Sequence, residues 1–310
     1  MPKLGRALDT VLDRTVVGGY PKWGLALRKR LPDWPKDVPA DALAGCTAMV
    51  TGASSGLGIA TATAFADLGA TVHLVVRDLA KGERVAENIP NAVVSRCDVS
   101  DLDDVTRFAE TVQTPVDVLV HNAGVLPPQR QTTAQDHEVT MATHVLGPLR
   151  MTELMRPALT GGRVIWVSSG GMYGQKLPLS DPEYRLGDYR GATAYARTKR
   201  VQVALTPVLA KRWAPDGIAV YTTHPGWADT PGVAGSLPLF HRLTGPFLRN
   251  VEDGADTTVW LAATDPAPPS GYFWHDRRPR DPHLVPWTRH DDAAAEQMFA
   301  WCAKKAGLTP

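Results

Sequence analysis

The sequence has only three cysteines in 310 residues, and Cys46, Cys97 and Cys302 lie far apart. An odd, scattered set writes no disulfide framework and no Cys-x2-Cys metal site, so a reducing, cytoplasmic setting is expected. The nine histidines supply neither HExxH nor HxH spacing, and no metal is expected. A charge surplus is missing too: 33 Lys+Arg stand against 32 Asp+Glu. That balance excludes the electrostatic footprint of a nucleic-acid binder. No apolar run nears the roughly 18 residues of a membrane span, and no signal-peptide core follows the first Met. Internal repeats and low-complexity tracts are absent. Hydrophobic residues, at 44 %, are plentiful enough for one large domain or two small ones.

What is present is an alternation. Apolar, largely β-branched runs recur at Thr47–Thr51, Val72–Val76, Ala92–Ser95, Val116–Val120, Val164–Ser168, Ile218–Thr223 and Gly271–Trp274. Near-continuous runs of this kind suit strands buried on both faces of a parallel sheet. Between them, helical patterns occupy Leu57–Leu68, Leu102–Val112, Gln135–Ala158, Ala194–Trp213 and Val251–Ala263. The alternation predicts βαβ crossovers and an α/β, doubly wound Rossmann fold: one domain over residues 46–275, with a central parallel sheet flanked by helices.

Two flanks fall outside that pattern: an N-terminal extension, 1–45, and a C-terminal tail, 276–310. The extension carries eight Lys/Arg against five Asp. Leu4, Leu8, Val11, Leu12 and Val16 have helical spacing, and Trp23, Leu25 and Leu27 suggest a second, shorter helix. The tail ends in a helical pattern around Ala293–Lys305.

Thr51-Gly52-Ala53-Ser54-Ser55-Gly56-Leu57-Gly58 joins the first strand to the first helix. In such a loop Gly52 permits the sharp turn, Gly56 lets backbone approach a pyrophosphate, and Gly58 lets helix and strand pack closely. The helix N-terminus offers free N–H groups to phosphate oxygens. An ordinary strand-to-helix turn could also carry three glycines, but the position after strand one of a βαβ unit favours dinucleotide binding. The second strand ends Val76-Arg77-Asp78. Val76 cannot accept a ribose hydroxyl, whereas Arg77 can pair with a 2′-phosphate. Asp78 could reach the ribose, or it could cap the helix starting at Leu79; the cap is the better reading. NADP(H) is therefore expected ahead of NAD(H).

Of the seven tyrosines, Tyr195 alone has a lysine, Lys199, four residues on. A phenol is a poor acid or base at neutral pH unless a cation lowers its pKa, and i+4 on a helix puts that cation one turn away. Taken alone, the pair could also be an ordinary surface helix pair. Further pieces come in order: Asp98-Val99, Asn122-Ala123-Gly124, Ser168-Ser169, and Pro225-Gly226-x3-Thr230. Together with the Gly52-x3-Gly56-x-Gly58 spacing, they make residues 46–275 resemble the short-chain dehydrogenase/reductases. A narrower set, including Gln175-Lys-Leu and His224-Pro-Gly-Trp-Ala-Asp-Thr-Pro-Gly-Val233, is similar to one poorly characterised branch that also has an N-terminal extension.

The resemblance implies that Ser169, Tyr195 and Lys199 form the catalytic set, with Ser168 the fallback for Ser169. It implies cofactor contacts from the glycine loop and from Tyr195 and Lys199. Asp98 and Val99 would line the adenine pocket, Asn122, Ala123 and Gly124 the wall beside the ribose. Pro225 and Gly226 would pass near the nicotinamide, and Thr230 would hold its carboxamide. One position departs from the family. His144 stands three residues before Gly147, where Asn usually holds a proton-relay water. A His could bind that water, relay protons itself, or be a plain interface residue.

The expected function is an oxidoreductase interconverting a secondary alcohol and a ketone or aldehyde, probed against a cofactor-binding sensor with little catalysis and an isomerase or dehydratase. The 26-position gap from Ser169 to Tyr195 predicts a surface loop over Met172–Arg190. Leu237, Leu239, Phe240, Leu243, Phe247 and Leu248 crowd the segment Pro231–Asn250, which fits a lid over a hydrophobic substrate or ordinary core packing. For the extension, Gly18, Gly19, Pro21 and Gly24 interrupt any long helix, and its Asp residues dilute its charge. An arm packed through its apolar face is expected ahead of peripheral membrane contact, with homo-oligomerisation as in related enzymes.

Overall fold

A computed structural model describes residues 2–229, 242 and 244–309. Eight strands form one sheet in the order β3-β2-β1-β4-β5-β6-β7-β8. They are β1 (Thr47–Thr51), β2 (Thr71–Val76), β3 (Ala92–Arg96), β4 (Val118–His121), β5 (Arg163–Val167), β6 (Ala219–Thr223), β7 (Tyr272–His275) and β8 (Arg278–Pro279). All neighbours pair parallel except β7 and β8. The central strands β1, β4, β5 and β6 are buried along almost their whole length, which is why their apolar runs are continuous rather than alternating.

Helices cover both faces. α4 (Gly56–Asp67) and α10 (Val251–Ala263) flank one core, where Phe65, Leu74, Ile165 and Leu261 meet. The other core lies under α6 (Leu102–Thr111), α8 (Gly147–Met155), α9 (Gly191–Trp213) and α11 (Asp292–Lys305), and holds Phe108, Leu149, Trp213 and Phe299. The tail helix therefore belongs to the second core through Met298, Cys302 and Ala303. α5 (Leu79–Ala86) follows β2, and Asp78 caps it by accepting from Lys81 N at 3.1 Å.

One helix differs from its sequence pattern. Instead of running from Gln135, it starts as α7 (Val139–Met141), capped by Glu138, whose carboxylate accepts from the backbone N–H groups of Thr140 and Met141. Upstream, Asp136 takes φ +58° and Thr132 bridges to Glu138, so the apparent helical start is a turn. A π-helical turn, Ala142–Leu146, then leads into α8. Periodicity cannot show one inserted residue in a turn.

Before the sheet come α1 (Pro2–Arg14), α2 (Val16–Gly19) and α3 (Lys22–Arg28). The sequence leads to an arm packed through its apolar face; α1 turns charged groups inward as well. With Leu12, the carboxylates of Asp9 and Asp13 turn inward, while Leu8 and Val11 face out. Asp9 accepts from Arg28 Nε at 2.8 Å and from Arg280 Nη1 at 2.7 Å. Arg28 and Arg249, both fully buried, converge on Asp276 at 2.5 and 2.6 Å. These pairs join the arm to the β7–β8 turn, and leaving them unmade would strand buried charges.

Candidate active site

In the strand order, β1 and β4 are the neighbours from which the chain winds off in opposite directions, and ligands of such sheets sit beyond the strand ends there. A cleft of about 600 Å³ opens at that place. The glycine loop forms its floor, with Gly52, Ser54, Ser55, Gly56 and Leu57 all on the cleft. Gly52 takes φ +68°, and a Cβ on it would come within 2.8 Å of Ala123 Cα. Gly58 sits behind the floor, where a Cβ would lie 2.4 Å from Gly52 O, so its absence permits the close helix–strand approach. Ser55, at the N-cap of α4, makes no side-chain cap, so the first helical N–H groups face the cleft free of a side-chain partner. A cradle that Cβ atoms would fill, ending on uncapped N–H groups, fits a dinucleotide pyrophosphate.

The next strands supply the walls. Val76 and Arg77 line the cleft after β2; Arg77 is exposed and makes no ion pair among the described residues. Asp98 and Val99 follow β3, with Asp98 Oδ1 held by Ser100 N at 2.9 Å and Ser100 Oγ at 2.7 Å. Helix α6 is capped by Asp101. After β4, Asn122, Ala123 and Gly124 line the cleft. The Asn122 amide donates to Thr51 O at 2.9 Å, and the backbone N–H groups of Asn122 and Ala123 donate to Thr51 Oγ1. This lacing holds the glycine turn against β4.

Ser169, Tyr195 and Lys199 meet at the far end of the same cleft. Ser168 is buried and donates its hydroxyl to Lys199 O at 3.0 Å, which leaves Ser169 to present an available hydroxyl. Ser169 also caps the 3-10 turn Gly170–Gly174 through Gly171 N. Burial pushes the Tyr195 phenol up to about 12, while the Ser169 side chain beside it pulls the other way. Burial brings Lys199 down to about 7. Its Nζ donates to Val167 O at 2.7 Å and lies 5.3 Å from the Tyr195 ring centre. The ammonium is thus anchored to β5 one helical turn from the phenol.

His144 lies behind the cleft wall, on the π-turn, and is completely buried. Its Nε2 accepts from Val125 N at 3.0 Å, so the proton sits on Nδ1, which donates to Thr198 Oγ1 at 2.7 Å. Thr198 in turn donates to Tyr195 O at 2.8 Å. Burial, with the Lys199 charge second, keeps the ring neutral. Both nitrogens are taken, and the ring stands edge-on to Tyr195 at 5.1 Å.

Pro225 and Gly226 line the cleft after β6; Thr230 lies outside the described residues. Just before them stands a residue that sequence reasoning did not single out as part of the site. His224 Nδ1 accepts from Gly170 N at 3.2 Å and Gly226 N at 3.3 Å, tying the loop after β5 to the loop after β6. Burial first, then Arg249, lowers its pKa to about 3, so it remains a neutral acceptor. Its place immediately before Pro-Gly was the only available signal. The arm reaches this wall too, since Tyr20 packs edge-on to His224 at 4.5 Å and Tyr20 O accepts from Trp227 N.

The Met172–Arg190 loop beside the cleft is pinned. Glu183 meets His137 at 2.8 Å and Arg185 at 2.8 Å, and Arg197 reaches Asp181 O. Burial opposes ionisation of Glu183, but His137 and Arg185 outweigh it and hold the carboxyl at about 2.

A parallel sheet with a dinucleotide cradle at its winding reversal and a Ser/Tyr/Lys cluster at the cradle's end defines a nicotinamide-dependent oxidoreductase of Rossmann type. The model of the short chain dehydrogenase family matches residues 46–237, and the chain belongs to that short-chain dehydrogenase/reductase family. It is 40 % identical to Dehydrogenase/reductase SDR family member 12 of Bos taurus, over 80 % of this chain and 82 % of that one. Human Retinol dehydrogenase 12 is 32 % identical over 76 % of this chain and 78 % of its own length. Among solved structures, an uncharacterised protein of Mycobacterium paratuberculosis superposes with a TM-score of 0.73 at 29 % identity, covering 88 % of this chain and 96 % of its own.

Proposed function

We propose that the protein is an NADP(H)-dependent oxidoreductase that interconverts a hydrophobic secondary alcohol and its ketone, or an alcohol and aldehyde. The convergence of Ser169, Tyr195 and Lys199 at the end of the glycine-loop cleft carries this reading. When bound, the nicotinamide supplies or takes up the hydride at the substrate carbon. Ser169 Oγ donates to the substrate oxygen and polarises the carbonyl. Tyr195 Oη gives its proton to that oxygen as negative charge develops there, and in the oxidative direction takes the proton back. Lys199, whose charge is set near neutral pH, stabilises the phenolate left on Tyr195. His144 acts through its neighbours, holding Val125 on the cleft wall and, through Thr198, the backbone of Tyr195.

The phosphate preference rests on Arg77, exposed on the cleft and free of ion pairs among the described residues, while Asp78 is committed to the cap of α5. A hydrophobic substrate is supported by the likeness to a protein named a retinol dehydrogenase and by the apolar composition of Pro231–Asn250. Incubation with NADPH and a panel of aldehydes and ketones, following the loss of nicotinamide absorbance, tests the assignment. Tyr195→Phe is expected to abolish reduction and leave dinucleotide affinity nearly unchanged, because only the proton donor is removed. Tight NADPH binding without turnover of any carbonyl would replace the reading with that of a cofactor-binding sensor.

A further inference from the structure

The N-terminal arm buries charged side chains beside its apolar ones and leaves other apolar side chains facing out. On α1 the inward side holds Leu12 together with Asp9 (5 % exposed), hydrogen-bonded by Arg28 and Arg280, and Asp13 (7 %), whose Oδ1 lies 3.4 Å from Arg280 Nε and 3.9 Å from Arg28 Nη2, while Val11 is 58 % exposed. Leu8 lies one turn before Val11 on the same outer side. On α3, Leu25 and Arg28 face in, and Trp23 and Leu27 face out. Trp23 also packs edge-on to Phe247, 5.0 Å between ring centres, with both residues 43 % exposed. Polar groups are normally turned to water and apolar ones away from it, so this polarity needs an occupant.

The charges around the face identify that occupant. From residue 8 to residue 30 every exposed charged side chain is basic: Arg14, Lys22, Lys29 and Arg30. Lys29 is paired with Asp253, while Arg14, Lys22 and Arg30 make no ion pair among the described residues. Burial of Asp9 and Asp13 removes two of the five Asp residues that dilute the extension's charge, and the other three, Asp33, Asp37 and Asp41, come after residue 30. A second copy of the chain docked about a two-fold axis would set this basic rim against itself. An anionic lipid surface would instead meet it with opposite charge, take the aliphatic side chains and the Trp23 ring below the headgroups, and let the long basic side chains reach the phosphates. We infer that the outer face of α1 and α3, with Phe247, docks the protein reversibly on anionic membranes. Tyr20, in the same arm, contacts Trp227 and His224 of the cleft wall, so the docking arm is joined directly to that wall.

Co-sedimentation of the full chain with vesicles of phosphatidylcholine alone, or mixed with phosphatidylserine, tests this at low and high salt. Pelleting with the phosphatidylserine vesicles, weakened by salt and by phosphatidylcholine alone, is the expected result. Val11→Glu, and separately the double change Trp23→Glu/Leu27→Glu, should each weaken binding by at least about tenfold. Trp287→Glu, at an aromatic 62 % exposed but outside this face, should bind as the unmodified chain does. Dinucleotide binding and the unfolding temperature of each variant, measured alongside, establish that it is folded. The inference is overturned if the unmodified chain ignores phosphatidylserine vesicles, or if folded arm variants pellet undiminished. A dimer in light scattering that the arm substitutions split, without vesicle binding, also overturns it and assigns the face to a second copy.

Discussion

At the scale of single residues, the proposed mechanism divides the site into groups that do chemistry and groups that hold them still. Tyr195 is raised to about 12 by burial, so the phenol keeps its proton throughout the neutral range. Reduction, which spends that proton, is therefore expected to show no loss of kcat/KM from this group between pH 6 and 9. Alcohol oxidation needs the phenolate and should rise about tenfold per pH unit over the same span, before any modulation by Lys199. Rate–pH profiles in both directions check the sign. Arg77 provides a second residue-scale prediction. Arg77→Ala should weaken NADPH binding about ten- to hundredfold while barely changing NADH, the loss of one charge-assisted contact, and titration calorimetry with both cofactors measures it. NADH bound as tightly as NADPH by the unmodified chain would refute the proposed preference.

At the scale of elements, the π-turn Ala142–Leu146 is where backbone geometry and site geometry coincide. It positions His144 to reach Val125 and Thr198 at once, and it passes directly into Gly147. A Cβ on Gly147 would lie 1.8 Å from Val99 O, a backbone atom that cannot rotate away. Gly147→Ala is accordingly expected to cost at least about 1–3 kcal/mol of stability and to weaken dinucleotide binding, since Val99 lines the cleft. Thermal unfolding with and without NADPH separates the two effects. The Met172–Arg190 loop has the opposite character: its Pro, Gly and Asp content suggested only surface chain, yet Glu183, Arg185 and Tyr189 pin it to residues 136–138, and Asp181 pins it to α9.

For the molecule as a whole, Asp276 is the point on which the arm, the loop around Arg249 and the β7–β8 turn depend. Burial alone would raise its pKa, but Arg249, followed by His275 and Arg28, holds it far below the usual carboxylate range. A carboxylate with a depressed folded pKa contributes stability that is complete above its unfolded pKa, near 4, and is lost as pH falls below it. Asp276→Asn leaves two buried guanidinium groups short of charge. It should cost about 3–5 kcal/mol, lowering Tm by roughly 6–20 °C at neutral pH, with a smaller difference from the unmodified chain in acid. Calorimetry across pH 3–8 tests both the size and the trend.

The sequence by itself determined the order of strands and helices, the parallel sheet, the glycine cradle and the Tyr195–Lys199 pair. Each of these rests on local chemistry: burial on both faces gives continuous apolar runs, a turn against backbone requires glycine, and four helical residues make one turn. Only the tertiary structure shows that the Ser168 hydroxyl is committed, because its partner is Lys199 O, 31 residues away. It also decided the role of His224, whose two donors come from separate loops, and the closed circuit of His144, whose partners lie on two other elements. The arm shows the limit most plainly. Its helical spacing was legible, but which side of α1 faces inward depends on Arg28 and Arg280, the latter 271 residues from Asp9. Periodicity measures how apolar and polar groups divide around a helix; the side that turns inward is set by the buried charges waiting to be neutralised.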